Sequence, residues 1–198
     1  GQASLAQAAR QGNRGILSTG YYIDLNQSAA QHYLVDPLGG DAATLTPEQK
    51  ARILGGEATM WTEYTSPENI DSHIWPRTAA IAERLWSLQQ VRDVDSMYRR
   101  LAVISLKLEY YGLNTKAETN EMLQRMSGNP DPVHLKVLAA VVQPPEGYLR
   151  ARVAPSTAFT PLNRLVDAVP PESVTARKFN DLVKQIIAGQ ATAQQWQQ

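Results

Sequence analysis

Two short stretches place an aromatic ring two residues ahead of a carboxylate: Tyr22 with Asp24, and Trp61 with Glu63. Side chains two apart on an extended chain share a face, so each stretch presents a flat apolar plate beside a hydrogen-bond acceptor. That pairing suits a sugar ring. Its axial C–H groups stack on the aromatic face, and its hydroxyls donate to the carboxylates. A single such pair on a strand is more often structural, because aromatics are mostly core residues. Two pairs in register at one strand end point toward a site. Spacing alone leaves the two readings balanced.

The elements that must position these residues can be read from local pattern. Residues 16–25 are rich in β-branched and aromatic side chains and read as a strand. A long loop follows over 26–45, with Asp36-Pro37 and Gly39-Gly40 as turn signals. Thr46-Pro47-Glu48-Gln49 predicts a short helix with a capping box. Residues 53–63 read as a second strand. Glu57, Thr59, Trp61 and Glu63 would share one face, and Leu54, Ala58 and Met60 would pack under helices on the other. Ile74, Thr78, Ile81 and Leu85 recur at helical spacing, and Pro76 places the helix start near Asp71 or Ser72. A second helix follows Asp93, with Met97, Leu101, Ile104, Leu108 and Tyr111 inward and Gly112 as its stop. This order predicts a helix-rich α/β fold with parallel strands, whose C-terminal strand ends carry the site.

Residues 114–130 are polar, end in Gly128-Asn129-Pro130, and read as a linker between a 1–113 unit and a helical 131–198 unit. In the second unit, Val133, Val137, Leu138 and Val141 mark one buried face. A short helix is expected from Thr160-Pro161 to Val169. Ser173 caps a last helix with Phe179, Leu182, Val183, Ile186 and Ile187 inward, before a Gln-rich end expected to fray.

Composition narrows the function. The 198 residues carry 19 basic and 19 acidic side chains, which leaves no electrostatic footprint for nucleic acid or anionic lipid. No apolar run is long enough to span a bilayer, so no membrane partner is expected. Without cysteine there is no disulfide, thiolate metal site or cysteine nucleophile. His32, His73 and His134 are scattered, so neither a metal nor a cofactor is expected.

Three segments resemble family 20 glycoside hydrolases, the β-N-acetylhexosaminidases. Tyr21-Tyr22-Ile23-Asp24-Leu25 is similar to their Trp-Tyr-Leu-Asp-Leu strand. Residues 54–64, Leu-Gly-Gly-Glu-Ala-Thr-Met-Trp-Thr-Glu-Tyr, are similar to their Gly-Gly-Glu-Ala-x-Met-Trp-Gly-Glu segment. Trp75-Pro76-Arg77 and Ala82-Glu83-Arg84-Leu85-Trp86-Ser87 match a helix of the family. The motifs stand in the family's order, over residues 16–113; the rest resembles, less closely, a helical extension of some bacterial members.

The resemblance implies the last two strands and closing helices of a (β/α)8 barrel, and substrate-assisted retaining catalysis of terminal N-acetylhexosamine hydrolysis. In that chemistry the substrate's own acetamido oxygen attacks the anomeric carbon, so the family departs from the two-carboxylate scheme. Tyr22 matches the tyrosine that orients the acetamido group, Asp24 and Glu63 match carboxylates that grip sugar hydroxyls, and Trp61 matches the tryptophan against the sugar. Glu57, Arg77, Glu83 and Arg84 read as structural, with Arg77 or Arg84 the candidate partner of Glu57. Trp75 and Trp86 read as helix–barrel packing, and His73 as a surface residue. Thr62 and Tyr21 replace a glycine and a tryptophan common in the family, and both are expected to face away from the site.

The family's general acid, the Glu of a His-x-Gly-Gly-Asp-Glu segment, has no counterpart among these residues; Gly39-Gly40-Asp41 lacks the Glu. The chain alone is therefore expected to be inactive, with its open barrel edges prone to self-association. A sugar-binding relic and a helical interaction module are the alternatives. The resemblance suggests a periplasmic or secreted setting.

Overall fold

The structure is a computed structural model, and it describes residues 1–189. The Gln-rich end expected to fray lies outside the described residues. Helix α1 (Gln2–Arg10) leads into strand β1 (Gly15–Leu17) and a 3-10 turn over Ile23–Leu25. Helix α2 (Ala29–Leu34), a 3-10 turn over Gly40–Thr44, α3 (Pro47–Lys50) and β2 (Ile53–Gly56) follow. Then come α4 (Ile70–Ile74), α5 (Arg77–Trp86), α6 (Val94–Tyr110), α7 (Thr115–Ser127), α8 (Val133–Ala139), α9 (Leu149–Val153), α10 (Leu165–Ala168) and α11 (Val174–Ile187). The capping box at Thr46 and Gln49 is present, as are the caps at Asp93 and Ser173.

β1 and β2 pair in parallel, and both are shorter than the expected 16–25 and 53–63 strands. The chains still run side by side beyond them. Thr59 N donates to Tyr21 O at 3.0 Å, and Ile23 N donates to Thr59 O at 3.0 Å. Regular pairing stops because the chain turns at Gly20 (φ 90°), where Tyr21 N donates back to Ser18 O at 3.0 Å. Gly56 lets the two segments close up. A Cβ there would sit 2.5 Å from Tyr21 Cε2, so no larger residue fits without displacing the buried ring.

The core falls into three clusters. Leu5, Ala9, Leu17, Tyr21, Ile53 and Ile81 form the first, beneath the sheet. Ala29, Tyr33, Ala80, Met97 and Leu101 join α2, α5 and α6. Met122, Leu123, Ala139, Ala168 and Val169 form the third. Residues 115–127, expected within a linker, are thus a helix whose buried Met122 and Leu123 supply a core. Two adjacent apolar residues in a polar sequence were enough to bury one side of the helix.

Several expected core faces are exposed here. Leu54 is 59% exposed and Trp86 is 92% exposed, so neither packs under a helix. Ala58 and Tyr111 are also exposed, as are Val133, Val137, Leu138 and Val141. Helix α11 has no buried residue, although Leu182, Val183 and Ile186 are partly covered. Parallel sheets are normally covered on both faces, so the apolar Ile16 and Leu54 are surfaces that want a cover.

His73 is 2% exposed rather than on the surface, because its ring turns into its own helix and Nδ1 lies 2.9 Å from Asn69 O. His32 is fully buried, with Nδ1 2.7 Å from Gly20 O. Burial pushes His32 down to about 4, opposed by the Gly20 bond, and burial likewise lowers His73. A folded pKa below the unfolded value means protons favour unfolding as pH falls. The stabilisation from neutral His32 is complete above about pH 6.5 and is lost between there and about pH 4, amounting to about 3 kcal/mol. His32→Asn keeps a donor toward Gly20 without the titration. Urea midpoints from pH 7 to pH 4.5 should fall less steeply in this variant; an unchanged slope would refute the assignment.

Candidate active site

The two aromatic–carboxylate stretches meet at the end of the sheet. An isolated parallel bridge joins Tyr22 to Thr59. One step further, Trp61 N donates to Asp24 Oδ2 at 2.8 Å. Asp24 is fully buried, and its Oδ1 has no hydrogen-bond partner among the described residues. The Asp24 carboxylate thus ties the first stretch to the backbone that presents Trp61 and Glu63. Tyr22 and Glu63 are partly exposed, and the Trp61 ring is 69% exposed. An open indole beside a carboxylate is the surface a sugar would stack on.

The backbone between Trp61 and Glu63 is not a strand. Thr62 has φ 65° and Tyr64 has φ 56°, both left-handed. Strand alternation therefore does not decide which way Thr62 points. A β-branched residue there costs about 1–2 kcal/mol, which gives the physical reason a glycine suits this position. Thr62 Oγ1 recovers part of that by donating to Trp61 O at 2.6 Å. Tyr21 does turn away from the site: it is fully buried, and its hydroxyl donates to Val35 O at 3.1 Å.

Behind the site sits Arg77, 2% exposed. It does not pair with Glu57. Its Nη1 donates to Gln27 O at 2.6 Å, and its Nη2 donates to Ile23 O and to His73 O. The guanidinium therefore clamps the backbone on both sides of Asp24. Burial lowers it to about 10, while Glu172 and Asp24 pull it back up. Glu57 is exposed and accepts from Ser18 Oγ at 2.5 Å, because its segment has left the covered part of the sheet. Arg84 is also buried without Glu57; it donates to Val91 O at 2.5 Å and Leu88 O at 2.8 Å, closing the turn after α5. Glu83 accepts from Tyr33 Oη at 2.8 Å and Arg100 Nε at 2.9 Å, so it joins α2, α5 and α6. Among the described residues, no group of three His, Asp or Glu side chains could hold a metal ion. No described helix is long and apolar enough to cross a membrane.

The family model for the glycosyl hydrolase family 20 catalytic domain matches residues 1–89. Over those residues the chain is similar to the glycosyl hydrolase family 20 catalytic domain. It is 38% identical over 115 residues to the beta-hexosaminidase subunit alpha of Bos taurus, covering 57% of this chain and 21% of that protein. It is 41% identical over 102 residues to the beta-hexosaminidase subunit beta of Homo sapiens, covering 49% and 17%. A crystal structure of Flavobacterium johnsoniae chitobiase superposes with a TM-score of 0.87 at 40% identity, over 96% of this chain and 29% of that one. The chain therefore spans about a fifth of the curated relatives named here. The family 20 match covers both aromatic–carboxylate stretches and the whole of α5.

One further residue reaches the site, and sequence patterning missed it. Tyr148 Oη lies 3.2 Å and 3.4 Å from the two Glu63 carboxylate oxygens. No local pattern announces a contact across 85 residues.

Proposed function

We propose that the whole protein is an exo-acting β-N-acetylhexosaminidase. In this reading residues 1–113 form the C-terminal portion of its (β/α)8 barrel, and 131–198 form a helical extension beyond a 114–130 connection. The reading rests chiefly on the Asp24 carboxylate holding the Trp61 amide, which makes the two family motifs one structural unit. The exposed Ile16 and Leu54 fit the same reading, since further barrel strands and helices would cover them.

Within that site, Trp61 offers the stacking face for an N-acetylhexosamine. Glu63 and Asp24 accept from sugar hydroxyls, Asp24 at its unpartnered Oδ1. Tyr22 donates to the acetamido oxygen and aligns it on the anomeric carbon. The proton for the leaving oxygen comes from a general acid outside these residues. General acid work contributes roughly 10²–10⁴-fold. The purified 198-residue chain is thus expected to give no turnover of a chromogenic N-acetylglucosaminide. Clear turnover, with contaminating enzyme excluded, would overturn the assignment of the acid to another segment. The open edges of the two-stranded sheet predispose the isolated chain to self-association, and the substrate partners are N-acetylhexosamine-containing glycans in a periplasmic or secreted setting.

A further inference from the structure

We propose that Tyr148 is a positioning residue of the sugar site, supplied by the C-terminal part of the chain to hold the Glu63 carboxylate in its binding orientation. The proposal rests on the reading of Glu63 as a sugar-gripping group.

The segment that carries Tyr148 is fastened on both sides of the site. Gly147 N donates to Leu25 O at 2.8 Å, and Asn26 Nδ2 donates to Pro145 O at 3.3 Å. Gln31 Nε2 donates to Glu146 Oε2 at 2.9 Å. Leu25 and Asn26 directly follow Asp24, so this anchor starts where the first site stretch ends. Two residues past Tyr148, the Arg150 guanidinium lies over the Tyr64 ring, 4.7 Å from its centroid. Tyr64 directly follows Glu63. Arg150 also pairs with fully buried Asp167 at 2.5 Å, and Asp167 O accepts from Asn69 Nδ2 at 2.9 Å. Tyr148 is thus suspended between the ends of both stretches.

Its electrostatics agree with that place. The Glu63 carboxylate raises the Tyr148 hydroxyl above the ordinary phenol value, by its charge and by the hydrogen bond, with Asp24 and Tyr22 adding to it. The phenol and the Glu63 carboxylate are in direct contact. Glu63 and Tyr148 also line a cavity of about 330 Å³ together with Thr62, Tyr64, Ser156 and Thr160. A glutamate left free in such a cleft samples several rotamers, and fixing it on binding is costly. A phenol already bonded to the carboxylate selects the rotamer beforehand.

The test uses the full-length protein in a double-mutant cycle with a chromogenic N-acetylglucosaminide. Tyr148→Phe should lower kcat/KM about tenfold with an unchanged melting temperature, because one hydrogen bond to a charged group is removed without altering shape. In the Glu63→Gln background the same change should cost less than twofold. Equal losses in both backgrounds, or none in the wild type, would overturn the proposal while leaving Glu63 in place. A Glu63→Gln variant with wild-type kcat/KM would overturn the reading of Glu63 and this proposal together. Removing the ring altogether, Tyr148→Ala, should match Tyr148→Phe if the hydroxyl is the active feature; a much larger loss confined to kcat/KM would instead assign the ring a packing role against the sugar and overturn positioning.

Discussion

Replacing Arg77 by methionine is expected to lower the stability of the full-length protein by about 3 kcal/mol. Three bonds from a charged donor end on the carbonyls of Gln27, Ile23 and His73. Hydrogen bonds to charged groups contribute roughly 1.5–3 kcal/mol each, and buried carbonyls left without donors carry a desolvation penalty. Against this stands the cost of burying the guanidinium, visible in its lowering to about 10. Methionine regains that cost and part of the packing, so the net loss is smaller than the three bonds together. Arg77→Lys should fall between, because an ammonium restores charge but cannot fork to three carbonyls. Urea unfolding followed by tryptophan fluorescence decides it. A loss below about 1 kcal/mol for the methionine variant would show that the clamp contributes little.

Asp24→Ala should lower kcat/KM of the full-length protein about 10³-fold. The carboxylate has two jobs in this reading. One oxygen holds the Trp61 amide at 2.8 Å, and the other is kept for a sugar hydroxyl. Loss of the first lets the turn carrying Trp61 and Glu63 shift, and a displacement near 1 Å can cost about 10²-fold. Loss of the second removes a charged acceptor worth a further factor of about ten or more. Asp24→Asn retains an oxygen for the Trp61 amide but replaces the charge, so it should lose less, about 10²-fold. Kinetics with the chromogenic substrate, alongside far-ultraviolet circular dichroism, would check both. A decrease under tenfold in folded Asp24→Ala would exclude Asp24 from substrate binding.

The pairing of Tyr22-Asp24 with Trp61-Glu63 was legible because both stretches follow a short strand, and parallel strands bring equivalent ends together. Caps at Thr46 and Ser173 were legible because capping chemistry is local. Strand alternation failed at Thr62, where a left-handed φ breaks the two-residue period. Arg77 was assigned the wrong partner because a motif shows charges, whereas its real acceptors are backbone carbonyls that every residue carries. The spacing of Arg77 and His73, one helical turn, was the available hint. The exposed faces of Leu54, Trp86 and α11 follow a core pattern in sequence, yet nothing among the described residues covers them fully. Tyr148 had no local signal, since Pro144-Pro145 and Gly147 announce only a turn.

The fastening of residues 145–150 has a consequence for the order in which the molecule can be completed during synthesis. Both aromatic–carboxylate stretches leave the ribosome well before Tyr148, and Asp167, the ion partner of Arg150, comes later still. At roughly 5–20 residues per second, several seconds of elongation separate Glu63 from these supports. During that interval Glu63 lacks the Tyr148 hydroxyl, and Tyr64 lacks the Arg150 guanidinium. The segment around Tyr148 then acts as the closing stitch, so residues made after both stretches determine when the Glu63 carboxylate is held.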